Sequence, residues 1–284
     1  MSEPQEALQE QVEGLAEGFS GIAGIAAVNL DTDAEVFVND SESFPTASSI
    51  KIFILYELMR QHLRGNARLW ERMTLREADK TPGSGMLHDF LAGINLTLHD
   101  LAVMMMGISD NTATNMLIGR LGVGGINGAI REAGLFDTEL RGPIDFDRIR
   151  EDNNNLALST PRDFVTFLRV LYRGELIAGG MVEEMLDIMR IQKNIEPLRR
   201  YLPFNPYARE FGEPETMWVA SKTGSLRGVR CESGLIHTEP ATWAISVMSK
   251  EGQDQNWTSD NEGVRLISAV SRCVYEAWGP PLGA

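Results

Sequence analysis

The sequence predicts an α+β fold in which both ends of the chain build one antiparallel sheet, packed against an all-helical middle. Three observations predict it. Small and β-branched residues alternate through GIAGIAAVNLDTDAEVFVND (21–40) around Asp31-Thr32-Asp33, the pattern of a β-hairpin. From Ser48 to about Gly174 the apolar residues recur at helical spacing, with few strand-like runs. Strand patterning then returns at TMWVASKTG (216–224), GVRCESGLIHT (228–238) and TWAISVMSK (242–250). Strands flank helices, so the ends meet in one sheet.

The elements follow in order. Leu8, Val12 and Leu15 mark a surface helix over about 5–18. Helical segments fall near 98–107, 112–121, 124–134 and 161–173, separated by breaks such as TPGSG (81–85) and STP (159–161). A last helix runs from about Ser259 to Trp278. The whole chain, 1–284, reads as one domain, with a sheet part over about 1–47 and 210–284 and a helical part over about 48–209.

Composition narrows the function. A chain of 284 residues, 43% apolar, can bury a substantial core. Its net charge of −14 argues against nucleic acid and anionic membrane surfaces as partners. A local cationic pocket can still hold a small anion. Cys231 and Cys273 are too few for a disulfide framework and read as buried thiols. His62, His88, His99 and His237 are scattered and make no metal-ligand pattern, so no metal or cofactor is expected. The N-terminus MSEPQEALQEQVEGL is acidic and amphipathic, unlike a signal peptide. A cytoplasmic monomer is expected, or an exported one whose leader has been removed.

Three short motifs carry the chemistry. Ser48-Ser49-Ile50-Lys51 opens a segment that is apolar on nearly every side, from Ile50 through Met59. An SxxK pair arises about once by chance in a chain this long, so its setting matters more than its letters. Ser48 and Lys51 share one helix face. Burial lowers a lysine pKa and frees a neutral amine to accept the hydroxyl proton. The helix N-terminus offers backbone N–H groups to a developing oxyanion. The competing reading is a capping serine with a lysine that reaches solvent.

Ser109-Asp110-Asn111 lies in a short turn between two apolar helices, where side chains can project into a cleft or cap the next helix. The same tripeptide at Ser259-Asp260-Asn261 precedes Glu262, and Ser259…Glu262 fits a capping box with a structural role only. Lys222-Thr223-Gly224 ends a strand, where Gly224 lets a ligand approach the backbone. With Arg227 and Arg230 close behind, this corner suits a carboxylate. An exposed edge lysine before a turn is the plainer alternative.

SxxK, SDN and KTG in this order resemble the motif set of class A β-lactamases and penicillin-binding proteins. The phrase PGSGMLHDFLAGINLTLHDLAVMMMGISDNTATNMLIGRLG is similar to that family's helical half, and the resemblance covers approximately residues 20–278. It implies a β-lactamase/transpeptidase-like fold and a serine hydrolase working through an acyl-serine intermediate. By that resemblance Ser48 attacks, Lys51 takes its proton, Ser109 relays a proton to the leaving nitrogen, and Asn111 positions Lys51 and the substrate amide. Lys222 and Thr223 hold a substrate carboxylate, while the N–H groups of Ser48 and Ser225 form the oxyanion hole.

The family's deacylating glutamate, with an asparagine four residues on, maps less cleanly. In DFDRIREDNNNLALSTPRDF, Glu151 and Asn155 have that spacing, but Asp147, Asp152 or Asn153 can align instead. The expected substrate is a small carboxylate-bearing molecule, a β-lactam first. The alternatives are an esterase or amidase, a D-Ala-D-Ala peptidase-like enzyme, and a binding protein on a retired hydrolase scaffold.

Overall fold

The computed structural model describes residues 3–177, 180–194, 197–208 and 210–281. Helix α1 (Glu3–Glu17) leads into the hairpin β1 (Ile22–Asn29) and β2 (Glu35–Val38), then a two-residue strand β3 (Phe44–Pro45). A 3-10 turn, Ala47–Ile50, runs directly into α2 (Lys51–Leu63). The short strands β4 (Arg72–Thr74) and β5 (Asn95–Thr97) form a ribbon before α3 (Leu98–Gly107), α4 (Asn111–Leu121) and α5 (Val123–Glu132). Strand β6 (Glu139–Leu140), α6 (Phe146–Glu151) and β7 (Ala157–Ser159) precede α7 (Pro161–Tyr172) and α8 (Met181–Arg190). The chain closes with β8 (Met217–Leu226), β9 (Val229–Thr238), β10 (Thr242–Lys250) and α9 (Glu262–Trp278).

The principal sheet has the order β2-β1-β10-β9-β8, every pair antiparallel, so chain ends and sheet coincide as the alternation predicts. Period-2 patterning sends side chains to both faces. Ile25, Ala27, Trp243, Ile245 and Val247 meet α1 and α9 on one side. Ala26, Val28, Leu235, Ala244 and Met248 meet the helical side. The sheet is therefore covered on both faces. Among the described residues, no helix is long and apolar enough to cross a membrane.

Helix α2 is the axis of the helical side, with every residue from Lys51 to Arg60 buried. Phe53 packs on Phe164 at 5.1 Å and Phe167 at 4.9 Å, tying α2 to α7, which in turn packs on β1, β9 and β10. Such aromatic pairs contribute about 0.5–1.5 kcal/mol beyond area burial. The start of α2 is thereby fixed against the sheet. Helix starts follow their caps. Thr97 and Asp100 form a capping box on α3, and Thr160 caps α7 with Pro161 at its first position.

Two local expectations change. The last helix starts at Glu262, and its cap is Asn261, whose Oδ1 accepts from Gly263 N at 3.0 Å. The expected box from Ser259 is absent because Glu262 instead bonds Ser20 and the Asp254 backbone N–H. The helical middle also holds short strands: β6 and β7 join β3, which lies just before it, in a three-stranded sheet, and β4 and β5 form a ribbon.

Candidate active site

Ser48 sits in the 3-10 turn before α2, partly exposed, on the wall of a cleft of about 1060 Å³. Neither that turn nor α2 receives a side-chain cap, so Ser48 is not a capping serine. Ala47, just before it, has φ +47°. A non-glycine residue in this left-handed region stores about 1–3 kcal/mol, which surrounding contacts must hold. Gly224 supplies that contact. A Cβ there would lie 2.5 Å from Thr46 O and 3.0 Å from Ser48 N. The glycine is required by close approach of the protein's own turn, where the sequence suggested approach of a ligand.

Lys51 does not reach solvent. It is fully buried, and its Nζ lies 2.8 Å from Ser109 O, 3.0 Å from Ser109 Oγ and 3.2 Å from Asn111 Oδ1. Burial first, and the Lys222 charge second, hold its pKa well below the ordinary lysine value, with Asp110 opposing. Ser109 adopts φ +58°, which turns both its carbonyl and its hydroxyl toward Lys51.

Asp110 is the structural member of the triplet. Its Oδ1 caps α4 through Ala113 N at 2.8 Å, and its Oδ2 accepts from Met86 N and Leu87 N. Asn111 Nδ2 donates to Pro82 O at 2.9 Å, and its backbone N donates to Ser84 O. The Gly-rich stretch that read as a break thus clasps the Ser109 turn, and Ser84 lines the cleft.

Strand β8 forms the opposite wall and is an edge of the sheet. Lys222 is buried, with Nζ 2.9 Å from Thr223 O, and burial lowers its pKa to about 7 while Glu232 opposes. Thr223 N and Val219 O bond groups outside the sheet, Gln192 and Arg199. Odd-numbered residues of β8 therefore face the open edge, and by that alternation the Ser225 N–H faces it too. Ser225 and Ser48 line the same cleft.

Arg230 lies across β9 from Ser225. Its guanidinium donates to the carbonyls of Leu226, Val229 and Asn256 and lies under the Trp257 ring at 4.7 Å. It borders a smaller cavity of about 200 Å³ shared with Thr223, Gly224 and Ser225.

Glu151 ends α6, exposed, on the cleft wall that Ser48 also lines. Among the described residues, the hydrogen-bond partners of Lys51 are Ser109 and Asn111, with no carboxylate. The Asn155 amide donates to Arg148 O at 2.8 Å, and Asn155 does not line the cleft, whereas Asn153 and Asn154 do. Sequence reasoning missed Gln192, Glu232 and Trp257. A buried Glu in the middle of a strand was the one signal available. Among the described residues, no cluster of three His, Cys, Asp or Glu could hold a metal ion.

A cleft-facing serine at the start of a buried helix, a desolvated lysine one turn on and a second buried lysine opposite define an acyl-transfer site of the SxxK serine-enzyme class. Comparison with known proteins agrees: the model of the β-lactamase enzyme family matches residues 7–278, and the chain belongs to that family. A β-lactamase of Rhodobacter capsulatus is 25% identical over 282 residues, covering 96% of this chain and 90% of that protein. A solved β-lactamase from Sphaerobacter thermophilus superposes with a TM-score of 0.84 at 29% identity, over 97% of this chain and 99% of its own. PBP-A superposes with a TM-score of 0.81 at 30% identity, over 95% of each chain.

Proposed function

We propose that the protein hydrolyses β-lactams through an acyl-serine intermediate on Ser48. The observation that carries this reading is Lys51, buried and desolvated, with Ser109 and Asn111 holding its amine. A neutral Lys51 amine takes the Ser48 proton as Oγ bonds the lactam carbonyl carbon. The oxyanion rests on the N–H groups of Ser48 and Ser225. The C–N bond then breaks, and the nitrogen takes a proton through Ser109 Oγ. Lys222 and Thr223, with Arg230 nearby, hold the substrate carboxylate, and Asn111 orients the amide.

Water then attacks the acyl ester. Glu151 lines the cleft wall, as Glu42 and Glu251 do, and in this reading Glu151 activates that water, while the Asn155 amide stays held on Arg148 O outside the cleft. The substrate is a small carboxylate-bearing molecule, and the protein acts on it as a monomer, in the cytoplasm or in an exported form. Its negative net charge speaks against polyanionic partners.

A second reading has one observation in its favour. Lys51 bonds no carboxylate among the described residues, and Glu151 is exposed. An acyl ester without an activated water persists; an acyl-enzyme complex with penicillin G has been solved for a PBP-A mutant 29% identical to this chain. Absorbance of a chromogenic cephalosporin separates the two. Continuous turnover supports hydrolysis, a single stoichiometric burst supports the stable adduct, and no colour change contradicts both.

A further inference from the structure

Behind the Lys222 corner lies a closed set of polar side chains that the acylation chemistry does not use. Glu232 is fully buried and stands opposite Thr223 in the β8–β9 register. Its Oε1 accepts from Ser221 Oγ at 2.6 Å and Gln192 Nε2 at 3.1 Å, and its Oε2 accepts from Leu198 N at 2.9 Å. Burial pushes the Glu232 carboxyl up, and Arg199 and the Ser221 and Leu198 donors oppose that push; all three hydrogen-bond partners donate, the pattern that suits an ionised carboxylate.

Gln192 joins this acid to the site. Its Oε1 accepts from Thr223 N at 2.9 Å and Thr223 Oγ1 at 3.0 Å, and stands 3.5 Å from Lys222 Nζ. A backbone N–H can only donate, so the amide oxygen must face Thr223 and the amide nitrogen must face Ser221 and Glu232. The segment is anchored on its other side, where Lys193 N donates to Gly107 O at 2.8 Å, two residues before Ser109.

We propose that Gln192, held by Glu232, is a positioning residue that locks Thr223 and Lys222 in the geometry that receives a substrate carboxylate. Glu232 supplies the buried counter-charge that keeps the Lys222 ammonium available. The proposal rests on the reading of Lys222 and Thr223 as the carboxylate-binding corner.

The charged groups around Lys222 are few. Glu232 on β9 raises its proton affinity, the Lys222 charge in turn lowers that of Lys51 on α2, and Arg199 on the segment before β8 bears on Glu232. Burial alone pushes the Lys222 ammonium toward neutrality, and Glu232 is what counters that push. A lysine binds an anion below its pKa and loses it above. The affinity for carboxylate substrates therefore falls as pH rises through about 7.

The test is the isosteric Glu232→Gln variant, with 1/KM for a penicillin followed from pH 5 to 9. The fall in 1/KM moves to lower pH by roughly one unit or more as the counter-charge is lost. KM at acid pH stays near the parent value, and kcat changes less than KM. Gln192→Leu, which leaves the buried charge in place, raises KM about tenfold for penicillins and little for a neutral ester. A folded Glu232→Gln variant whose pH profile superimposes on the parent's overturns the proposal, as does an unchanged KM in Gln192→Leu. An NMR titration of the Lys222 Cε resonance in parent and Glu232→Gln reads the same shift without any turnover, and coincident titration curves overturn the role of Glu232. A parent protein that no penicillin acylates counts against the proposed function, and the titration still decides the role of Glu232.

Discussion

The Lys51 amine lies 2.8 Å from the Ser109 carbonyl oxygen and 3.0 Å from the Ser109 hydroxyl, so one residue in a left-handed turn orients the buried base twice over. The carbonyl contact fixes the amine, and the hydroxyl contact opens a proton path to the leaving nitrogen. Ser109→Ala keeps the first and removes the second. Proton relay by a positioned group contributes about 10²–10⁴-fold. Acylation is expected to slow within that range while the melting temperature changes little. An unchanged acylation rate, measured by stopped-flow with a penicillin, assigns the relay elsewhere.

The two buried lysines set opposite pH limits. Lys51 works as the neutral amine, so acylation rises with pH through a pKa well below the ordinary 10.5. Lys222 works as the cation, so capture of a carboxylate falls as pH rises through about 7. For anionic substrates kcat/KM is bell-shaped, and for neutral esters the falling limb is missing. Lys222→Ala removes a charge-assisted contact worth about 1.5–3 kcal/mol, so KM for penicillins rises roughly ten- to hundredfold. The rising limb also moves to higher pH, because the Lys222 charge that depresses Lys51 is gone. Equal losses on penicillins and neutral esters argue instead for a proton-transfer or structural role.

Gly224 couples the sheet edge to the nucleophile turn. An alanine there places Cβ 2.5 Å from Thr46 O, a backbone atom that cannot swing away. Overpacking of this kind costs about 1–3 kcal/mol. A lower melting temperature and slower acylation are expected together, since the turn that shifts carries Ser48. A variant as stable and as active as the parent contradicts the close-approach argument.

Much of this is legible in the sequence, for definite physical reasons. Short, largely apolar and β-branched runs along β1, β8, β9 and β10 and the 3.6 period in α3, α4, α5 and α7 place those elements within a few residues, because a sheet covered on both faces leaves buried runs and a helix buried on one face leaves a period. Lys51 stands out because its helix has no polar side. Helix α6 lacks such a signal, since six residues with one buried position give no periodicity. Glu232 and Gln192 meet across 40 positions, and no local pattern reports a contact made by tertiary packing. The role of Gly224 is hidden for the same reason, because its neighbours Thr46 and Ser48 lie far away in sequence. Arg230 is legible as a cation near the corner, while its use on three backbone carbonyls is not.

Glu151 tests the fate of the acyl-enzyme. If it activates the deacylating water, Glu151→Gln accumulates acyl-enzyme while acylation persists, with turnover falling about 10²–10⁴-fold. Rapid-quench kinetics with a good cephalosporin reads both steps. Turnover at the parent rate moves the base elsewhere on the cleft wall.

The central claim is that Ser48 carries the acyl group and that Lys51, one helical turn away and fully buried, makes it a nucleophile. Intact-mass spectrometry of the parent and Ser48→Ala after incubation with benzylpenicillin, quenched at short times and followed by peptide mapping, tests it most directly. The parent is predicted to gain one penicilloyl mass on the peptide containing Ser48, and Ser48→Ala to gain none while keeping its melting temperature. An equal adduct in Ser48→Ala, or one mapped to Ser49, contradicts the assignment.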